Sequence, residues 1–263
     1  MKKKSLIVKK LNIESENIFN QTIELSINSI NLIIGSEKKG QILFKSILDL
    51  IDSSKKCYLF NRNLTKSLRF TGYYSPSFDI EKDIKIKDFF KYSMSFYKND
   101  YTSNLERLLD LFKIDKNNKI KDLEKETIEL IKIIEVLYHK PYLLLLDEPY
   151  KYLNSDQSRI LNQELIKLKE NNSTILINSN IFYLNYSLYE KIFVYLEPKF
   201  EDINLLKEKT YSLDIDFVPQ TEVKIKGLQK DNETYLYTGE LKDLFNKLDI
   251  NIKLSNIKEV VKW

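Results

Sequence analysis

Residues 141–154 read PYLLLLDEPYKYLN, with four leucines running straight into Asp147 and Glu148, and Pro149 following. A short continuous apolar run of this kind marks a strand covered on both faces, as in a parallel sheet. Such a strand delivers its terminal carboxylates to the carboxyl edge of the sheet, where open α/β folds bind ligands. Well upstream, residues 31–44 read NLIIGSEKKGQILF. Gly35 and Gly40 stand at G-x-x-x-x-G spacing, between a β-branched run and apolar residues at helical spacing. Strand, glycine-bounded turn, helix is the frame in which backbone N–H groups hold a phosphate. Its usual lysine is missing.

The remaining pattern extends this frame. Residues 4–13 and 21–35 read as strands, and 41–51 as a helix. From about 86 to 140 three helical stretches follow one another, the last stopped by Pro141. Residues 156–172 read as an amphipathic helix with Asp156 as its N-cap, flanked by strands at 142–148, 173–180 and 191–199. Alternating strands and helices imply an α/β sheet with a helical insertion. Beyond residue 200, short strands around one helix read as a small α+β appendage. The expected organisation is therefore a main domain over 1–200, with a helical subdomain at about 80–140, and an appendage over 201–263.

Composition narrows the function classes. The 263 residues carry 42 basic and 38 acidic side chains, well mixed, which gives a solvated surface and no basic stripe for nucleic acid. No apolar run approaches the roughly 20 residues of a membrane span. The basic start has no long apolar region, and the single Cys57 permits no internal disulfide, so a cytoplasmic location is expected. There is no alanine and there are only five glycines, which makes two of them at phosphate-loop spacing more telling.

These motifs, in this order, resemble the nucleotide-binding subunit of ABC transporters over nearly the whole chain. Residues 32–42 fall at the Walker A loop, GYYSPSFDI at the Q-loop, and 123–149 on the signature helix and Walker B. YLNSD falls at the D-loop and TILINSN at the H-switch. The C-terminal region looks like that of subunits serving drug, bacteriocin or sodium exporters. The resemblance implies a P-loop NTPase-like α/β domain that binds ATP and Mg²⁺. It places Gly35, Ser36, Glu37, Lys38, Lys39, Gly40, Gln41 and Ile42 along the phosphates, Asp147 on the metal, Glu148 as a vestigial general base and Asn180 at the switch position. It also implies a membrane permease as partner, a homodimer or a heterodimer with a second ABC subunit, and a peripheral place on the inner face of the membrane.

The departures bear on activity. Gln41 lacks the lysine's charge and Ile42 offers a metal no hydroxyl. Glu124 and Glu126 replace the signature's serine and central glycine, where carboxylates repel a partner's phosphate. The Q-loop glutamine is absent near Ser75 and Pro76, Asn154 stands for the D-loop aspartate and Asn180 for the switch histidine. The only histidine, His139, reads as part of a helix end. Loss of one preorganised donor costs about 100- to 1,000-fold in rate, so hydrolysis is expected to be weak or absent. Two alternatives stay open: a pseudo-ATPase module with no transporter, and an active enzyme in which Lys38 or Lys39, partly offset by Glu37, replaces the lysine.

Overall fold

The structure, a computed structural model, describes residues 4–34, 37–59, 62–63, 68–179, 188–196, 199–206, 209–216, 227–231, 234–247 and 253–259. Gly35, Ser36 and Asn180 lie outside them. Among the described residues there are three sheets. An antiparallel sheet has the order β2-β1-β4-β5, formed by β1 (Lys4–Ile13), β2 (Ile18–Ser26), β4 (Ser54–Leu59) and β5 (Arg62–Asn63). The central sheet has the order β10-β9-β3-β8-β7-β6. Its strands are β3 (Ile30–Ile34), β6 (Thr71–Tyr74), β7 (Leu143–Asp147), β8 (Thr174–Asn178), β9 (Tyr189–Leu196) and β10 (Lys199–Asp202). β9, β3, β8, β7 and β6 run parallel, and β10 pairs antiparallel with β9.

Apolar residues on both faces explain why β3, β7 and β8 lie at the centre. Every residue of INLII, LLLLD and TILIN is buried, so these strands need cover on both faces. One face packs on α1 (Glu37–Ile47) and the antiparallel sheet, through Leu43, Phe44, Leu145 and Leu176. The other packs on α2 (Ile86–Met94), α3 (Thr102–Leu111), α4 (Lys125–Leu137) and α5 (Ser155–Glu170), through Phe90, Leu108, Ile134 and Leu161. A third sheet of β11 (Lys209–Asp216), β12 (Leu228–Asp231), β13 (Thr234–Gly239) and β14 (Lys253–Glu259) packs with α6 (Leu241–Lys247).

Three local expectations are corrected. Residues 21–35 are not one strand, because the chain turns at 27–29 and passes from β2 into a different sheet at β3. Asn28 takes a left-handed φ of 55° and the Ser29 hydroxyl donates to the Ser26 carbonyl at 2.8 Å, a short polar turn that outweighs the β-branched pattern. The cap of α5 is Asn154 and not Asp156: its side chain accepts from the Gln157 N–H, and the Gln157 side chain accepts in return. Helix α1 begins at Glu37, ahead of Gly40, so residues 37–40 form its first turn and not part of a loop.

His139 follows α4 and is buried, stacked on Tyr97 at 4.5 Å between centroids, with no hydrogen bond to either ring nitrogen among the described residues. Burial pushes its pKa down to about 4. The unfolded chain therefore binds the proton first as pH falls, and stability is lost between the unfolded value of about 6.5 and the folded value. The expected loss is about 3 kcal/mol in full below pH 4. Urea midpoints measured from pH 7 to pH 4 should show this loss in the wild type and lack it in His139→Phe.

Candidate functional site

Parallel register makes the site. Asp147 at the end of β7 is the direct partner of Asn178 at the end of β8. Ser75 follows β6, the other neighbour of β7, and the first turn of α1 returns over the same edge after β3. Four elements thus converge on one carboxylate. Asp147 is 2% exposed. Its Oδ2 accepts from Gln41 Nε2 at 2.9 Å and from Ser75 Oγ at 2.8 Å, and its Oδ1 accepts from Asn178 Nδ2 at 2.8 Å. Lys45, one turn along α1, donates to Gln41 Oε1 at 3.3 Å and so orients the amide. These three donors on the Asp147 carboxylate are all neutral.

Gly40 is part of this arrangement. A Cβ built on it would lie 1.9 Å from Asn178 Oδ1 and 2.2 Å from Asn178 Cγ. The missing side chain is the space in which Asn178 lies against α1 and reaches Asp147. Sequence reasoning does not single out Asn178, for which the available signal is its place at the end of an apolar strand, TILIN.

Glu148 holds a left-handed φ of 45°, which costs a residue with a Cβ on the order of 1–3 kcal/mol. Its N–H donates to the Asn178 carbonyl at 2.8 Å, and its Oε2 accepts from Ser179 Oγ at 3.2 Å. The two candidate substitute lysines both engage Glu16. Lys39 Nζ bonds Glu16 Oε2 at 2.8 Å and the Glu16 carbonyl at 3.0 Å, in the turn between β1 and β2. Lys38, largely exposed, lies 3.9 Å from Glu16 Oε1. Both ion pairs hold the Glu16 carboxyl below its usual range. Ile42 packs into the core beneath α1.

At the start of α4, Glu124 is the N-cap residue without a side-chain cap, and Glu126 lies in the first turn. Both are exposed, while Lys125 between them lies over the Tyr152 ring at 4.3 Å. Further along α4, Glu129 and Lys132 form a buried ion pair at 2.8 Å. Tyr74 donates to the same Glu129 oxygen at 2.8 Å, and Lys132 donates to the Phe78 carbonyl at 2.8 Å. The loop after β6 is therefore held at one end by Ser75 on Asp147 and further along by Lys132 on the helical insertion.

No protein-family model matches the chain. It is 33% identical over 85 residues to YhaQ of Bacillus subtilis, an uncharacterized ABC transporter ATP-binding protein, covering 32% of this chain and 28% of that one. It is 27% identical over 114 residues to another from Alkalihalophilus pseudofirmus, covering 41% of this chain and 43% of that one. The chain thus spans less than half the length of these relatives. Among solved structures, the ATP-binding subunit of an ABC transporter superimposes with a TM-score of 0.66 at 17% identity, over 72% of this chain and 85% of that one. The protein cbiO1 of Clostridium perfringens, part of the ABC transporter complex cbiONQ, gives 0.60 at 17% identity, over 76% and 88%. The fold of this chain is that of the ABC ATP-binding cassette, and its sequence likeness is to ABC transporter ATP-binding proteins.

Proposed function

We propose that the chain is the ATP-binding-cassette subunit of a membrane exporter and a catalytically weak or inactive partner in it. It pairs with a second ABC subunit of the same or another kind, and couples to a permease through the groove beside its helical insertion. This places it at the cytoplasmic face of a membrane. Among the described residues no helix is long and apolar enough to cross one.

One observation carries this reading: the Asp147 carboxylate is engaged on both oxygens by Gln41, Ser75 and Asn178. A magnesium ion needs oxygen ligands in near-octahedral order. Here two amide N–H donors and a hydroxyl already occupy the carboxylate, and the neighbouring hydroxyl position is the buried Ile42. These residues do not fit Mg²⁺. A triphosphate would find neither a lysine in place of Gln41 nor a free loop, because residues 37–40 are wound into α1. The alternative of an active enzyme using Lys38 or Lys39 is disfavoured by their engagement with Glu16.

Calorimetry with Mg-ATP on the purified chain should show no saturable heat. Phosphate release, alone or with a co-purified membrane subunit, should match that of Asp147→Asn. Saturable binding with turnover that Glu148→Gln abolishes would overturn the proposal.

A further inference from the structure

Asp147 ends β7, and at the other end of that strand the chain leaves α4 beside a cavity of about 230 Å³, lined also from α3 and α5. Of its charged lining residues, Arg107, Lys140 and Lys167 are basic and Glu164 alone is acidic, three charges against one. The Glu164 side chain is 5% exposed and accepts from Arg107 Nη1 at 2.9 Å and Nη2 at 2.6 Å, and from Lys167 Nζ at 2.8 Å. Arg107 Nε and Nη2 also donate to Asn104 Oδ1, at 3.2 and 3.0 Å, which fixes the guanidinium plane and leaves one Nη1 N–H uncommitted. Two helices, α4 and α5, end beside the cavity, and bare carbonyls there would repel an anion. Neutral amides cover them instead: Asn104 Nδ2 donates to the Tyr138 carbonyl and Asn171 Nδ2 to the Lys167 carbonyl, each at 2.7 Å. The exposed Lys140 ammonium has no hydrogen bond or ion pair among the described residues.

We propose that this cavity binds the dianion of a small phosphate monoester. The ligand's two negative charges match the lining's excess of positive ones. Its donors come from three directions: a guanidinium on α3, an ammonium on α5 and another in the turn before β7. An arginine fork gives a phosphate directional hydrogen bonds, and lysines add point charges that adjust to it. Glu164 holds Arg107 and Lys167 in place before the anion arrives, so little side-chain freedom is lost on binding. Drug-sized pockets run to about 300–1,000 Å³, so this smaller volume suits a phosphate bearing a few carbons and not a nucleotide. The site is therefore separate from the Asp147 edge, and the inference does not rest on the transporter reading.

The test is a ¹H–¹⁵N NMR titration of the full chain with methyl phosphate, and separately with dimethyl phosphate at the same ionic strength. At about pH 7.5 the monoester is a dianion, its second pKa being about 6, and the diester carries one charge. Methyl phosphate should give saturable shifts at residues 104–108, 137–140 and 164–171, with a Kd of about 1 mM or tighter. The diester should bind at least ~10-fold more weakly. Lys140→Gln should weaken methyl phosphate ~10-fold and leave the melting temperature of the free protein unchanged. Added methyl phosphate should raise the wild-type melting temperature, and raise that of the variant less. Absence of saturable shifts at these residues overturns the inference. So does equal affinity for the two esters, which would mean charge screening or a diester such as a lipid headgroup, and so does undiminished affinity in Lys140→Gln. Nucleotide binding at Gln41, Ser75 and Asp147 would shift those residues instead, so the two readings fail separately.

Discussion

Glu129→Leu or Lys132→Met, made singly, should lower the unfolding free energy by about 3–5 kcal/mol, whereas the double replacement should return most of that loss. The asymmetry comes from desolvation. The side chains of both residues are under a tenth exposed, so each charge is tolerated only because the other stands 2.8 Å away. Removing one strands its partner in a medium where it cannot be hydrated. Removing both leaves apolar side chains in an apolar layer, and such exchanges are often neutral. The double replacement still leaves the Tyr74 hydroxyl without its Glu129 acceptor, which retains a cost of about 1–3 kcal/mol. Urea unfolding of the four species completes the cycle, and single-variant losses that simply add would show the pair is not energetically coupled. Lys132 also holds the Phe78 carbonyl, so amide exchange in the loop after β6 should accelerate in Lys132→Met.

Gly40→Ala is the second large effect, and its sign should depend on residue 178. In the wild type the new methyl collides with the Asn178 amide, 1.9 Å from Oδ1. Asn178 is fully buried and cannot swing into solvent. Overpacking costs about 1–3 kcal/mol and loss of a hydrogen bond to a carboxylate about 1.5–3, giving roughly 2.5–6 kcal/mol together. Asn178→Ala alone should cost only the hydrogen-bond part. In that background Gly40→Ala meets no amide and replaces a helical glycine, so it should stabilise by about 0.5–1 kcal/mol. A loss of similar size in both backgrounds would show that Gly40 serves the backbone and not the Asn178 side chain. The cycle therefore separates a glycine kept for a phosphate loop from one kept for a neighbouring amide.

The frame that yielded the fold was legible because its signals are local. Four leucines before Asp147, the three apolar residues Ile175, Leu176 and Ile177 of β8 and the three-and-four spacing of α4 each state their burial within a few residues. The glycine-bounded turn was less legible. Its spacing matched a phosphate loop, yet residues 37–40 belong to the helix, and Gln41 in its next turn bonds Asp147. The misplaced cap at Asp156 has a similar origin. Asp, Asn and Ser are all good caps, and only the reciprocal bonds of Asn154 and Gln157 choose among them.

The sequence alone therefore determined a covered parallel sheet with paired carboxylates at its edge, and led to the expectation that it lacks the lysine, hydroxyl and histidine of a working site. Tertiary structure decided what took their place. Gln41 and Asp147 are 106 positions apart, Asn178 and Asp147 are 31 apart, and Tyr74 and Glu129 are 55 apart. No local propensity encodes such partners. A buried carboxylate must find donors wherever the packed strands bring them, and that is settled only when the strands are in register.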